Sequence, residues 1–334
     1  MKLNNTITDV PGIKVGHAQD LDAITGCTVV LCEKGAFAGV DQRGGAPGTR
    51  ETDAIRPLHL VNKAHAIMLA GGSAFGLDAA SGAMKYLEEK GFGFNAGNIN
   101  VPIVPSAILF DLGIGNSKIR PDKEMGYKAC LNASSDAVKQ GCIGAGIGAT
   151  AGNMLGISQA TKSGIGSASI DLGSGLIVGA LIAVNPFGDV IDDQGRILAG
   201  ARTISRGPIK IGSSDLFADT RSMMKSTIGK VGLTFASSHN TVIGVVATNA
   251  SLDNQQTNFL AQMAQDGLAM AIRPSHTLFD GDTIFALSTG SIIVDVNVVG
   301  AFAAEAVKLA IINAVNNAVS MGGVPSSSDL LRDV

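Results

Sequence analysis

A chain of 334 residues with 46% hydrophobic and only 16% charged side chains can bury a large core but is short of surface charge, so we expect much of its exterior to be covered in a homo-oligomer. A formal charge of −3, 2 Tyr and no Trp give neither the basic field nor the stacking surface of a nucleic-acid binder. Residues 1–6 lack an apolar signal core and the apolar run at residues 175–184 is too short to span a bilayer, so we expect no membrane partner and a cytoplasmic location.

In chain order, residues 13–15 and 25–32 read as strands, β-branched and bounded by turns. The segment Arg43-Gly44-Gly45-Ala46-Pro47-Gly48-Thr49-Arg50-Glu51-Thr52-Asp53 fits neither regular period, and its composition leaves open whether it is a functional loop or a structural crossover. Residues 64–70 form an apolar strand, followed by Gly71-Gly72-Ser73-Ala74-Phe75-Gly76 and a helix through Met84, Tyr86 and Leu87. Strand, glycine turn and helix can aim backbone N–H groups at an anion, but no Walker lysine follows, and we favour close packing as the reason for the glycines.

Residues 101–111 are extended, with two prolines that exclude a helix. Residues 124–140 carry helical spacing in Met125, Ala129, Ala133 and Ala137, with Gly141 as a stop. Gly146-Ile147-Gly148-Ala149-Thr150-Ala151 matches the GxGxxA dinucleotide fingerprint, a reading that requires a strand before it where a helix is expected. An apolar strand at residues 176–184 ends in Asn185-Pro186-Phe187-Gly188-Asp189, and residues 191–238 read as an exposed, polar connection. Beyond residue 241 the expected order is strand, helix 253–272, strand 283–288, strand 294–298 and helix 301–319, with a loosely held tail at 325–334. Cys27, Cys32, Cys130 and Cys142 lack CxxC spacing and are expected to be reduced and mostly buried; with five scattered His we expect no metal site.

Ser237-Ser238-His239-Asn240 runs as a polar turn into the β-branched Thr241-Val242-Ile243, which puts Thr241 at the first position of a buried strand. Taken locally, that is ordinary turn chemistry followed by a good strand former.

Taken together and in order, the 43–53 segment, Gly71-Gly72-Ser73-Ala74-Phe75-Gly76, Lys162 with Gly164-Ile165-Gly166-Ser167, Asn185-Pro186-Phe187-Gly188-Asp189, Asn240-Thr241 with Val245-Val246-Ala247-Thr248, and Phe279-Asp280-Gly281-Asp282 resemble one family. It is the self-processing peptidase family of L-aminopeptidase/D-esterase, the β-aminopeptidases and the nylon-oligomer hydrolases, and the resemblance runs from about residue 9 to residue 300. It implies an α/β, four-layer αββα sandwich of the N-terminal-nucleophile-hydrolase type in a single domain. It implies autocleavage between Asn240 and Thr241 into residues 1–240 and 241–334, and a tetramer of cleaved protomers.

By the same resemblance, Thr241 is the nucleophile, Asp280 and Asp282 orient it and relay its proton, Lys162 offsets their charge, and Asn185 supplies an oxyanion-hole donor. A free N-terminal amine, with an ordinary pKa of about 7.7–8.0, then serves as base for the hydroxyl on its own residue. No cofactor is implied, and the substrate is the amide of a small peptide or amino-acid oligomer. Phe110 stands where several family members carry a tyrosine near the oxyanion, which leaves the second donor open to a backbone N–H. An acyltransferase of the ornithine acetyltransferase type and a non-cleaving scaffold remain alternatives with the same fold.

Overall fold

The computed structural model describes residues 3–206, 209–212, 214, 216–227, 229 and 240–332. Strands β1 (Lys14–Asp20), β2 (Thr25–Gln42), β3 (Lys63–Ala70) and β4 (Ser106–Ile108) come from the first third of the chain, with helices α1 (Ala79–Glu89) and α2 (Lys123–Leu131). Strands β5 (Ile165–Asp171), β6 (Ile177–Asn185), β7 (Thr241–Ala250) and β8 (Thr283–Ile292) form the second group, with helices α3 (Asn254–Ala264), α4 (Asp266–Ala271) and α5 (Val296–Asn316). Hydrogen bonding joins them in the order β5-β6-β7-β8-β2-β3-β4, ending on the short Thr49–Arg50 strand, with β1 on β2.

Alternation along the strands shows that this connected sheet folds over on itself. On β3, Ala66, Met68 and Ala70 pack with Ala79, Ala83 and Leu87 of α1, while Ile67 and Leu69 point the other way. That other side holds Ile243, Val245 and Ala247 of β7 and Phe285 and Leu287 of β8. The opposite face of β7 and β8, through Val242, Val246, Ile284 and Ala286, meets Leu260, Ala303, Val307 and Ile311 of α3 and α5. Three apolar interlayer spaces mean four layers, helix, sheet, sheet and helix, as expected. Strand β2 makes the turn between layers: its register on β3 shifts between Leu31 and Ala36, after which residues 37–42 pair with β8.

Several local expectations are corrected by tertiary contacts. The helix expected at 124–140 ends at Leu131, because Ser134 exchanges backbone hydrogen bonds with Val15 at 2.9 and 3.1 Å. The strand expected at 294–298 is the first turn of α5: the Asp295 carboxylate accepts from Asn297 N–H at 2.8 Å, and this cap overrides the β-branched composition. The helix expected at 253–272 divides into α3 and α4, and Asp253 caps the first. Helix α5 is long and apolar enough to cross a bilayer by those measures alone, but its small residues are the core seam against β5 and β6.

The tail is held rather than loose, since Pro325 accepts from Lys162 N–H at 2.8 Å and Ser326 is fully buried. The 191–238 connection is anchored in its described part: the buried Asp189 carboxylate accepts from Ala201 N–H, Thr220 N–H and Thr220 Oγ1 at 2.6–2.9 Å. Ser213, Asp215 and the polar turn at Ser237, Ser238 and His239 lie outside the described residues. Residues 144–146 before the GxGxxA stretch form a 3-10 turn, so the strand a dinucleotide site requires is not there, and a Cβ on Gly146 would meet Ile165 N at 2.2 Å.

Candidate active site

Strand β7 is buried along its whole length between β6 and β8, as its unbroken β-branched and small residues require, and Thr241 opens it. Asn185, the last residue of β6, is its antiparallel partner. On the other side the chain around Thr241 is gripped by residues 279–282. Asn240 N–H donates to Phe279 O at 2.8 Å, Gly281 N–H donates to Asn240 O at 2.9 Å, and Val242 N–H donates to Asp282 Oδ1 at 2.9 Å. The Thr241 hydroxyl itself donates to the carbonyl oxygen of Asn240. Nucleophile and candidate scissile carbonyl are thus in contact, with a backbone N–H on the oxygen where charge would collect.

Asp280 and Asp282 are both almost fully buried. Asp280 Oδ1 accepts from Phe187 N–H at 3.0 Å, and its Oδ2 from Thr277 N–H at 3.0 Å and Thr277 Oγ1 at 2.6 Å. Burial, and then the neighbouring charge of Asp282, push the Asp280 carboxyl up to about 6. Asp282 Oδ2 meets His276 N–H at 3.1 Å and His276 Nδ1 at 2.8 Å. Neither carboxylate bonds the Thr241 hydroxyl in the continuous chain, contrary to expectation. The amine they are expected to orient is still a peptide nitrogen here, and their oxygens are satisfied by N–H and O–H donors from three segments.

The Gly-rich 43–53 segment is the platform beneath this turn. Arg43 N–H donates to Asp282 O, Gly45 N–H to Thr277 O and Ala46 N–H to Asp280 O, at 2.8, 3.1 and 3.0 Å. The approach is close enough that a Cβ on Gly281 would lie 2.3 Å from Ala46 O, which requires glycine there. Phe187, from the Asn185-to-Asp189 motif, stacks on Phe279 with centroids 5.3 Å apart and so places its N–H on Asp280.

Asn185 lies beside Thr241, with one amide hydrogen engaged: Nδ2 donates to Phe110 O at 3.1 Å, and Oδ1 accepts from Thr150 N–H at 3.0 Å. Lys162 is fully buried, and its Nζ donates to Ala149 O and Ser163 O at 2.7 Å each. Burial lowers its pKa, and the charge of Asp111 works against that shift. Lys162 is linked toward the nucleophile through its strand partner Thr150, which bonds Asn185. The structure therefore brings together Thr241, Asn240, Asp280 and Asp282 with Asn185 as neighbour, and joins Lys162 to Asn185 through Thr150. Sequence reading missed His276 and Thr277, whose only signal is a His-Thr pair just ahead of the aspartates.

A cavity of about 180 Å³ opens beside the junction, lined by Phe110, Thr150, Asn153, Ile157, Asn185 and Asn240 among others. The Asn240 Nδ2 is buried without a hydrogen-bond partner among the described residues. Among the described residues there is no cluster of three or more His, Cys, Asp or Glu side chains able to hold a metal. The glycine turn at 71–73 holds a carboxyl group of the chain's own: Gly72 N–H, at a backbone φ of +79°, donates to Asp111 Oδ1 at 2.6 Å.

Four layers with a threonine at the head of a central strand define an N-terminal-nucleophile type of hydrolase fold. A sequence model of peptidase family S58 matches residues 5–328, and the chain belongs to that family. An uncharacterised aminopeptidase of Mycobacterium bovis is 40% identical over 349 aligned residues, covering 98% of this chain and 98% of its own. A 6-aminohexanoate-oligomer endohydrolase of Kocuria sp. is 32% identical over 288 residues, covering 85% of this chain and 75% of its own. Among solved structures, the L-aminopeptidase D-Ala-esterase/amidase of Ochrobactrum anthropi superposes with a TM-score of 0.71 at 19% identity, covering 99% of this chain and 93% of its own. A Burkholderia sp. β-aminopeptidase gives 0.69 at 23% identity, over 99% and 94%. These two likenesses speak for the fold, and the family assignment makes the protein a peptidase or amidohydrolase.

Proposed function

We propose that the chain cuts itself between Asn240 and Thr241, and that the freed Thr241 then hydrolyses amide bonds of small peptides or amino-acid oligomers through an acyl-enzyme. The observation that carries this reading is the contact of the Thr241 hydroxyl with the Asn240 carbonyl, whose oxygen also takes the Gly281 N–H at 2.9 Å. In the first step Thr241 Oγ bonds to the Asn240 carbonyl carbon, its proton passes to a base, and the oxyanion rests on the Gly281 N–H. The C–N bond then breaks, the Thr241 nitrogen takes a proton, and Asn240 is left as an ester on Oγ. Water hydrolyses that ester, giving an Asn240 carboxylate and a free amine on Thr241.

The same hydroxyl, with that amine as base, attacks the substrate carbonyl, releases the amine portion, and is freed again by water. Removal of one oxyanion donor typically costs about 2.7–4 kcal/mol of transition-state stabilisation. The Gly281 N–H supports the expectation of a backbone group in the place left by Phe110. The cavity beside Asn240 supports a binding place for the acyl part, since Asn240 is the first acyl group the site handles. Names of the relatives extend the candidate substrates to aminoacyl peptides and 6-aminohexanoate oligomers. Exposed Leu58, Leu60 and Ile293 support assembly with further copies.

Intact mass of the purified protein tests the reading. Fragments of residues 1–240 and 241–334 are expected, and Thr241→Ala leaves one chain. A wild-type chain that remains whole on prolonged incubation and hydrolyses no aminoacyl anilide overturns it.

A further inference from the structure

One partly buried titratable side chain bonded to Asp282 has no part in the chemistry above: the His276 imidazole. Its backbone φ is +57°, a left-handed conformation that His, Asn and Asp enter more readily than other side chains. In that conformation the amide N–H and ring Nδ1 of His276 both meet Asp282 Oδ2, at 3.1 and 2.8 Å. The other oxygen, Oδ1, holds Val242 N–H at 2.9 Å. Asp282 is therefore a bridge between the imidazole and the first peptide group after Thr241.

The torsion that turns a carboxylate about its last bond is broad and soft, so its plane is set by what it is bonded to. Without the ring, Oδ2 keeps a single donor within its loop, and the carboxylate can turn away from Val242. That rung matters because Thr241 is held from both sides by this one segment, through Gly281 N–H on Asn240 O and Asp282 Oδ1 on Val242 N–H. The two rungs hold the peptide groups on either side of the residue whose hydroxyl meets the Asn240 carbonyl. The far end of the ring, Nε2, is buried and has no hydrogen-bond partner among the described residues. The link from ring to site runs through Nδ1, which donates to Asp282 Oδ2 when it carries the ring hydrogen.

We infer that His276 is a positioning residue for Thr241: through Nδ1 it fixes the Asp282 carboxylate against Val242 N–H and so holds the nucleophile on its carbonyl. This rests on the reading of Thr241 as a self-cleaving nucleophile. The test follows the appearance of the 241–334 fragment over time, by intact mass, in freshly purified full-length wild type, His276→Gly and His276→Asn. Glycine removes the ring yet accepts the left-handed backbone, and asparagine accepts that backbone while keeping an N–H close to where Nδ1 stood.

Misplacement of a reacting group by about 1 Å can cost a hundredfold, so His276→Gly is expected to slow cleavage at least about tenfold with an unchanged thermal midpoint, and His276→Asn to recover to within about threefold of wild type. Cleavage of His276→Gly at the wild-type rate overturns the assignment alone. So does a folded His276→Asn protein slowed about tenfold or more against wild type, which would put the work at Nε2; that measurement decides the matter even if the glycine variant fails to fold. A wild-type chain that never cleaves overturns the assignment together with the reading beneath it.

Discussion

Two buried clusters of ionisable groups can be set side by side. One is Asp280 and Asp282 with His276; the other is Asp111 and Lys162. All four carboxylate and ammonium groups are almost completely out of water, and the pKa values of Asp280, Asp111 and Lys162 are each moved by burial first. What separates the clusters is what their atoms hold. Asp282 grips the peptide next to Thr241, and Asp280 takes the N–H of Phe187 from the Asn185-to-Asp189 motif. Asp111 fills the glycine turn at Gly72 and takes the Thr25 hydroxyl at 2.7 Å, while Lys162 ties the carbonyls of Ala149 and Ser163. A shifted pKa therefore marks burial in both clusters, and contact with the nucleophile's own backbone marks the site in only one.

That contrast can be broken or sharpened by experiment. The largest expected effect is complete loss of cleavage in Thr241→Ala, read as a single 33.9 kDa species by intact mass with thermal stability retained. Next, Asp282→Asn is expected to slow cleavage by about a hundredfold, because an amide cannot offer two acceptor oxygens to Val242 and His276, and proton-transfer and orientation effects of this kind span about 10²–10⁴. If Asp282→Asn cleaves at the wild-type rate, the carboxylate has no role at the junction.

Asp111→Asn is expected to act on the fold instead. Leaving the Gly72 N–H or the Thr25 hydroxyl poorly paired in the interior costs about 1–3 kcal/mol, measurable by urea denaturation, with cleavage slowed far less than in Asp282→Asn. Lys162→Met belongs to the same test, since it removes a buried donor from the Ala149 and Ser163 carbonyls. A Lys162→Met protein as stable as wild type but unable to cleave would move Lys162 into the catalytic group and erase the contrast.

The smallest expected effect is in pH dependence. Asp280 is raised from 3.8 to about 6, so the folded state binds its proton more tightly than the unfolded chain does. Its contribution to stability therefore falls as pH rises from about 4 to about 6 and is level above that. Asp280→Asn is expected to remove this slope, seen as the difference between the two proteins' denaturation free energies across that range. If the ionised Asp280 also takes the hydroxyl proton, wild-type cleavage rises through pH 6 and the variant's does not.

The strands that frame the site were readable because they answer to neighbours one and two residues away. Thr241 at the head of β7, the apolar β6 ending at Asn185, and β3 before its glycine turn are all found where alternation and turn chemistry put them. The failures share one cause. Residues 294–298 look like a strand until Asp295 caps a helix, residues 132–140 look helical until Ser134 pairs with β1, and the tail looks free until it is bonded beside Lys162.

For the site the division is the same. Sequence alone determined which chemical groups exist and in what order, a hydroxyl after an asparagine and two carboxyls two residues apart, because residue types in series are all it contains. Only the tertiary structure decided that Gly281 N–H, rather than the Asn185 amide, meets the Asn240 carbonyl, and that the aspartates spend their oxygens on Val242, Phe187, Thr277 and His276. Those partners lie up to 93 residues away in sequence, and no local propensity encodes which oxygen will face which N–H once the layers close.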